Sequence, residues 1–290
     1  MKFVSFRIGQ AEHFGLLKAA GVIDISARMG NRYPDLRTFI AEPGWRSVAE
    51  KLLASESADH GYEQLELLSV VPNAGKILCV ALNYHDHVAE ANRALPGGRE
   101  TPKFPNTFIR FADSFVGHRQ PLVRPRVSTR FDYEAELTVI IGKTTPRYVA
   151  REDALQYVFG YTAMNEGSIR DYQFHSRQLT PGKNFAASGS TGPFIVTADE
   201  VGDPQILDIE CKLNGTTLQK ANTAEMIFGV ADLIHYFTQW TPLNPGDMIA
   251  SGTMGGVGFT REPPIFMKPG DRAEVSISRI GTLVNGIRDE

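Results

Sequence analysis

Short apolar runs separated by turn residues dominate this chain, and helical periodicity is confined to a few segments. KILCVAL, NTFIRF, ELTVIIG, PFIVTA and AEVSISRI are brief and rich in β-branched or aromatic residues, which predicts strands. LDIECKLNGTTLQ alternates on both sides of Asn214-Gly215 and predicts a hairpin, because the tight turn needs positive φ at both central positions. VFGYTAM predicts a further strand that runs into the polar cluster Asn165–Asp171. The clearest helix spans Ala224–Trp240, where Met226, Val230, Leu233, Phe237 and Trp240 form one apolar stripe. Asn222 with Glu225 three residues later reads as its capping box. His235 lies within it and reads as a structural histidine. Shorter helices are predicted over Arg151–Tyr157 and Asp86–Asn92.

The first seventy residues have a different rhythm. Runs such as FGLLKAAGVIDIS alternate with turns, two short helices are predicted over Leu36–Ala41 and Val48–Ala54, and SESADHGYEQ reads as a polar linker. The pattern predicts a small N-terminal module over residues 1–70 and a larger domain over residues 71–290. The sum is a β-rich α+β fold with peripheral helices.

Composition narrows the function classes. With 290 residues, 42% of them apolar and 22% charged, the chain can bury a sizeable core without staples. A net charge of -3 gives no basic field for nucleic acid. No apolar run reaches the roughly 18 residues that a membrane span needs, and MKFVSFRIGQ lacks a signal-like core. Cys79 and Cys211 sit in apolar or alternating runs and read as packed thiols, which suits a reducing, cytoplasmic setting.

Candidate chemistry lies at the ends of the predicted strands. In Asp132-Tyr133-Glu134-Ala135-Glu136, Glu134 and Glu136 are two apart and would project from one face of a strand. Two such carboxylates repel each other, and a hard divalent cation relieves that repulsion. An isolated pair of this kind more often decorates an edge strand, but the run Leu137–Ile141 that follows reads as buried. Glu166, after VFGYTAM, offers a third carboxylate; the alternative is a helix start capped by Asn165 or Ser168, with Asp171 as the third ligand. His87 and Glu90 are three apart, so on a helix the carboxylate would orient the imidazole for general-base work. His85 has no such partner and reads as a turn residue. Lys183, flanked by turn residues, could hold an oxyanion or a substrate carboxylate. The stretch Asn244–Gly258 is rich in glycines that let backbone amides approach a ligand, and it lacks the Lys-Ser or Lys-Thr of a P-loop.

The motifs LNYHDHVAE, FDYEAELTVIIGK, GYTAMNEGSIRDYQ, GKNF followed by TGPFIV, and PGDMIASGTMGGVG resemble, in order, those of the fumarylacetoacetate hydrolase family. The resemblance covers about residues 71–290 and implies a β roll of mixed sheets, usually dimeric. It places the metal ligands on Glu134, Glu136 and Glu166, with Mg²⁺ as the expected ion and Mn²⁺ or Ca²⁺ as substitutes. It places the catalytic dyad on His87 and Glu90, on a lid expected to be mobile over His85–Gly98, and the active-site lysine on Lys183. Tyr84, Arg170, Gln173 and Thr253 are the implied substrate contacts. The chain departs from the family in having Glu166 where aspartate is usual, Gly167 and Ile169 around Ser168, and Met254-Gly255 for Pro-Ala. The implied activity is metal-dependent C–C hydrolysis of an acylpyruvate-type 2-oxo acid. Decarboxylation, keto–enol isomerisation and cleavage of sugar-derived diketo acids share its enolate step, and a non-catalytic ligand-binding protein is the remote alternative.

Overall fold

The structure, a computed structural model, describes residues 1–94 and 100–290, apart from the Asn31 side chain. Its frame is a twelve-stranded mixed sheet. Along the main path the strands run His60–Gly61, Gly21–Asp24, Ala11–Lys18, Lys2–Ile8, Gly189–Thr197, Val158–Asn165, Ala135–Ile141, Met248–Ala250, Ile77–Ala81 and Asn106–Ile109. Most neighbours are antiparallel, whereas Met248–Ala250 runs parallel to Ile77–Ala81. A five-stranded sheet, Thr216–Asn222, Asp208–Leu213, Arg272–Ile277, Gly281–Asp289 and Leu122–Arg124, packs against one face of the large sheet.

Side-chain alternation along the central strand decides what fills each side. Leu137, Val139 and Ile141 join Ile209, Cys211, Val275 and Leu283 in the core between the sheets. Ile140 points the other way, into a second core with Phe3, Phe39, Phe159 and Met248. Glu136, Thr138 and Ile140 therefore share one face. Every residue of Ala135–Ile141 is buried, and each large aliphatic side chain contributes about 1.5–3 kcal/mol over an exposed one. That is why this strand reads as continuously apolar after its acidic start.

Residues 1–70 are tied into the same frame. Lys2 and Phe3 pair with Val196 and Ile195 of Gly189–Thr197. Leu36, Phe39, Ala49 and Leu52 pack with Phe159 and Met248. The division near residue 70 thus marks a change of chain pattern within a shared sheet and core. Leu36–Ala41 forms as expected, capped by Asp35, whose carboxylate accepts from Thr38 N; the expected Val48–Ala54 lies within Trp45–Ser55.

The predicted hairpin is present, with Asn214 at φ 52° and Gly215 at φ 79°. The long helix is shorter than its apolar stripe implies. It spans Val230–Thr238, and the Asn222–Glu225 box caps a separate 3-10 turn over Thr223–Glu225. Asn83 interrupts the two: its carbonyl accepts from Ile227 N and its Oδ1 from Phe228 N, both at 2.8 Å. These tertiary bonds take backbone groups that a continuous helix would use. At its other end the helix stops at Thr238, so Trp240 lies past it and is 48% exposed. His235 is structural as expected, with Nδ1 2.7 Å from Val149 O. Arg151–Tyr157 is a 3-10 helix, and the third predicted helix spans His85–Ala94. Both cysteines are free and buried.

Candidate active site and metal centre

Strand register assembles the acidic cluster. Ala135 lies opposite Asn165, and Glu166 N donates to Glu134 O at 2.8 Å. Glu134 and Glu136 at the mouth of one strand therefore meet Glu166 at the end of its neighbour. One carboxylate oxygen from each lies within 4.8 Å of the others, and all three residues are buried. The backbone of Gly167 passes so close to that of Ser188 that a Cβ would sit 1.8 Å from Ser188 O. That contact explains why glycine follows Glu166. Glu136 Oε2 also accepts from Gly252 N at 2.9 Å, and Gly252 holds φ at 93°.

Buried cations face the cluster. Lys183, at the end of the short helix Thr180–Lys183, places Nζ 2.5 Å from Glu134 Oε2 and 2.9 Å from Glu166 Oε2. Arg170 ion-pairs through Nη2 with Glu134 Oε1 at 2.7 Å. Its Nε donates to Asp132 Oδ2 and its Nη1 to Gln173 Oε1, both at 2.8 Å. Asp132 also accepts from Gly258 N and Phe259 N, so it ties Arg170 to the loop closing the site. The sequence reading gave Asp132 no role, although Asp132, Glu134 and Glu136 continue one period-two series. Arg110 was missed as well. It is buried behind the cluster and donates to Gly167 O, Ser188 Oγ and Ser114 Oγ. Nothing local in NTFIRF distinguishes it from an outward-facing strand arginine.

The charges do not balance. Among the described residues the buried carboxylates Asp132, Glu134, Glu136 and Glu166 face the buried cations Arg110, Arg170 and Lys183, one negative charge in excess. Burial raises the Glu134 carboxyl pKa, but the charges of Lys183 and Arg170 outweigh it and hold the group below the usual carboxylate range. Glu136 is pushed well above that range, first by burial and then by Glu166 and Glu134. Burial lowers the Lys183 pKa, yet Glu134 and Glu166 hold it above the ordinary lysine value. Among the described residues Glu166 Oε1 is buried without a hydrogen-bond partner. A hard divalent cation would satisfy that oxygen and remove the repulsion at Glu136, and an all-oxygen donor set suits Mg²⁺ or Mn²⁺. The residues fit such an ion.

The second half of the site comes from His85–Ala94. His87 Nδ1 lies 3.3 Å from Glu90 Oε2. Glu90 in turn accepts from Gly256 N at 3.0 Å and Thr260 Oγ1 at 2.5 Å. Asp86 Oδ2 accepts from Gly255 N at 3.0 Å, which clips the helix start to the same loop. Burial raises the Glu90 pKa, but the bonds from His87, Thr260 and Gly256 outweigh it and hold the carboxyl below its usual range. His85 is exposed at the helix start. The expected lid, His85–Gly98, is described through Ala94; Leu95–Gly98 lie outside the described residues.

A cleft of about 330 Å³ joins the two halves. Glu134, Glu136, Glu166 and Lys183 line its floor, and His87, Arg170, Gln173 and Thr253 also reach it. Thr253 Oγ1 donates to Ala135 O and accepts from Gln219 Nε2. Glu90 stands behind His87. One expectation needs correction. Tyr84 is fully buried in the core between the sheets, its hydroxyl has no partner among the described residues, and it does not line the cleft. It follows the positive-φ turn at Leu82 and its backbone bridges to Met226, which aims the ring inward. Asp171, the rival third ligand, instead accepts from Ser128 Oγ at 2.7 Å, and Glu166 takes the third place in the cluster.

The sequence profile of the fumarylacetoacetate (FAA) hydrolase C-terminal family matches residues 76–288. The chain belongs to this family. A Homo sapiens protein named as a mitochondrial oxaloacetate tautomerase is 36% identical over 295 residues, covering 99% of this chain and 91% of its own. Maleylpyruvate hydrolase from Sphingobium sp. SYK-6, solved in complex with manganese(II) and pyruvate, superposes with a TM-score of 0.81 at 29% identity, covering 100% of this chain and 99% of that one. A 2-hydroxyhepta-2,4-diene-1,7-dioate isomerase from Mycobacterium marinum gives 0.75 at 25% identity, with 100% and 99% covered. The mixed-sheet fold expected from the sequence is that of the family, and the chain is one of its enzymes.

Proposed function

We propose that this enzyme is a metal-assisted keto–enol tautomerase of small 2-oxo diacids of the oxaloacetate type. The observation that carries the reading is the meeting, in one cleft, of the buried Glu134–Glu136–Glu166 cluster and the His87–Glu90 pair. A divalent cation bound by the three glutamates supplies a Lewis acid toward the oxygens of a 2-oxo acid. The chain's own groups do the rest. Glu90 holds the imidazole through Nδ1 and leaves Nε2 to take a proton from C3. The C3–H electron pair becomes the C2=C3 bond, and the carbonyl pair moves onto O2. Lys183 and Arg170 set cationic groups beside that developing charge. Return of the proton from His87 to O2 completes the enol, with no water consumed. The tautomerase name of the 36% identical human relative supports this choice.

C–C hydrolysis of an acylpyruvate-type acid, giving pyruvate and a carboxylic acid, is the second reading. It is favoured by the similar maleylpyruvate hydrolase that holds manganese and pyruvate; His87 would then deprotonate a water. Decay of freshly dissolved enol-oxaloacetate, with Mg²⁺, Mn²⁺ or a chelator, tests the first reading. Pyruvate release from a panel of acylpyruvates tests the second. Metal-dependent acceleration of enol decay without pyruvate release supports tautomerisation. Pyruvate release without that acceleration moves the assignment to hydrolysis, and inertness in both assays overturns both.

A further inference from the structure

We propose that Arg177 binds the distal carboxylate of the substrate and thereby makes the enzyme select 2-oxo diacids over monoacids of equal length. The inference rests on the reading above, which seats the 2-oxo acid head at the glutamate cluster. Arg177 lies in the loop joining Arg170–Gln173 to Thr180–Lys183, the two short helices that supply the cations of the floor. The loop is tied down at both ends: Phe174 N donates to Arg170 O and Asp171 O, and Gly182 N donates to Leu179 O. Between them Ser176 Oγ accepts from Gln178 N at 3.1 Å, a local turn with Arg177 at its apex. Arg177 lines the cleft and is exposed. Among the described residues its guanidinium has no hydrogen-bond or ion-pair partner, whereas Arg170 in the same cleft is bound to Asp132, Glu134 and Gln173.

Charge and surroundings say what that free fork is for. With all four carboxylates ionised, as a bound cation requires, the buried groups of the floor carry one excess negative charge. A divalent ion turns this into one positive charge, which the head carboxylate of a 2-oxo acid neutralises. A second carboxylate needs another cation. Among the described residues the lysine and arginines that line the cleft are Lys183, Arg170 and Arg177, and the first two are already paired with glutamates. The cleft is otherwise walled in part by Leu82, Ala91, Phe108, Phe174 and Leu179, which offer a carboxylate nothing. A guanidinium presents parallel N–H donors that match carboxylate geometry.

The test compares binding of malate and 2-hydroxybutanoate, which differ in a carboxylate against a methyl at the distal carbon and cannot enolise. Calorimetry on the full chain with Mg²⁺ should show a preference for malate of about tenfold, the low end for a charge-assisted contact that solvent screens. In Arg177→Met the ratio of the two affinities should fall to about unity. In Arg126→Met, an exposed arginine outside the cleft lining, the ratio should stay as in the parent. No malate preference in the parent, a preference that survives in Arg177→Met, or an equal fall in Arg126→Met overturns the assignment. Enol-oxaloacetate decay is measured on the same samples. Accelerated decay with an Arg177-independent preference overturns this inference alone, and absent decay with an Arg177-dependent preference overturns tautomerisation alone.

Discussion

The floor and the wall of the cleft hold their working groups by different means. On the floor, Glu134, Glu136 and Glu166 are fixed by two central strands paired from Ala135–Asn165 to Ile141–Val158, with buried residues on both faces. On the wall, His87 rides on a ten-residue helix clipped to the Gly255–Thr260 loop by Asp86 and Glu90. Binding a small hard cation demands fixed oxygens, and a sheet register supplies them at the cost of burying like charges. Moving a proton demands one oriented imidazole, which a few polar contacts can secure. Damage to the floor should therefore cost metal and stability, and damage to the wall should cost rate.

The sharpest break comes from Glu134→Ala. It removes a proposed ligand and leaves Lys183 and Arg170 without their shared carboxylate. Metal content by elemental analysis should vanish, activity should fall to background, and unfolding in urea should show a loss of about 3–5 kcal/mol. His87→Ala should keep its metal and lose about 10²–10⁴-fold in rate. Equal metal loss in the two variants would erase the distinction between floor and wall.

Acidity separates them next. The Glu136 pKa is raised in the metal-free fold, so that fold retains a proton which the unfolded chain releases at ordinary carboxylate pH. The stabilisation this gives is complete below the unfolded pKa and is lost as pH rises through the folded one. A bound cation must displace the same proton, so metal affinity should climb with pH, by up to about tenfold per unit while Glu136 is protonated. Glu136→Gln should bind more weakly and flatten the slope. The wall has the opposite sign: the Glu90 pKa is lowered, so its contribution is present above the usual carboxylate pKa and fails only in acid. A flat metal-affinity profile in the parent would contradict this contrast.

Smaller effects sharpen it further. Thr260→Val removes one hydrogen bond to Glu90 and should lower kcat about fivefold with metal content unchanged, the effect of about 1 kcal/mol. Glu166→Asp keeps charge and donor type but shortens the reach by one methylene. It should retain metal and shift the ratio of activities with Mg²⁺ and Mn²⁺, because Mg²⁺ tolerates distorted octahedral geometry less well. Identical ratios in variant and parent would mean that the length of Glu166 is irrelevant to the floor.

Much of this architecture was legible in the chain because it follows from neighbours in sequence. The period-two acids at the head of an apolar run, the i,i+3 spacing of His87 and Glu90, and the Asn214-Gly215 turn are each fixed by local backbone geometry. So are the short helices and most strands. What the chain did not announce depends on partners far away. Asn83 held back the start of the long helix through bonds from residues 144 and 145 positions on. Tyr84 went into the core, and Arg110 slid beneath the cluster, once the sheets had closed. Asp132 found its amide donors 126 and 127 positions later. Period and spacing say which side chains stand together on one element. Which buried charge finds which counter-charge is decided only when distant strands come into register, since an unpaired buried charge costs more than any local preference gains.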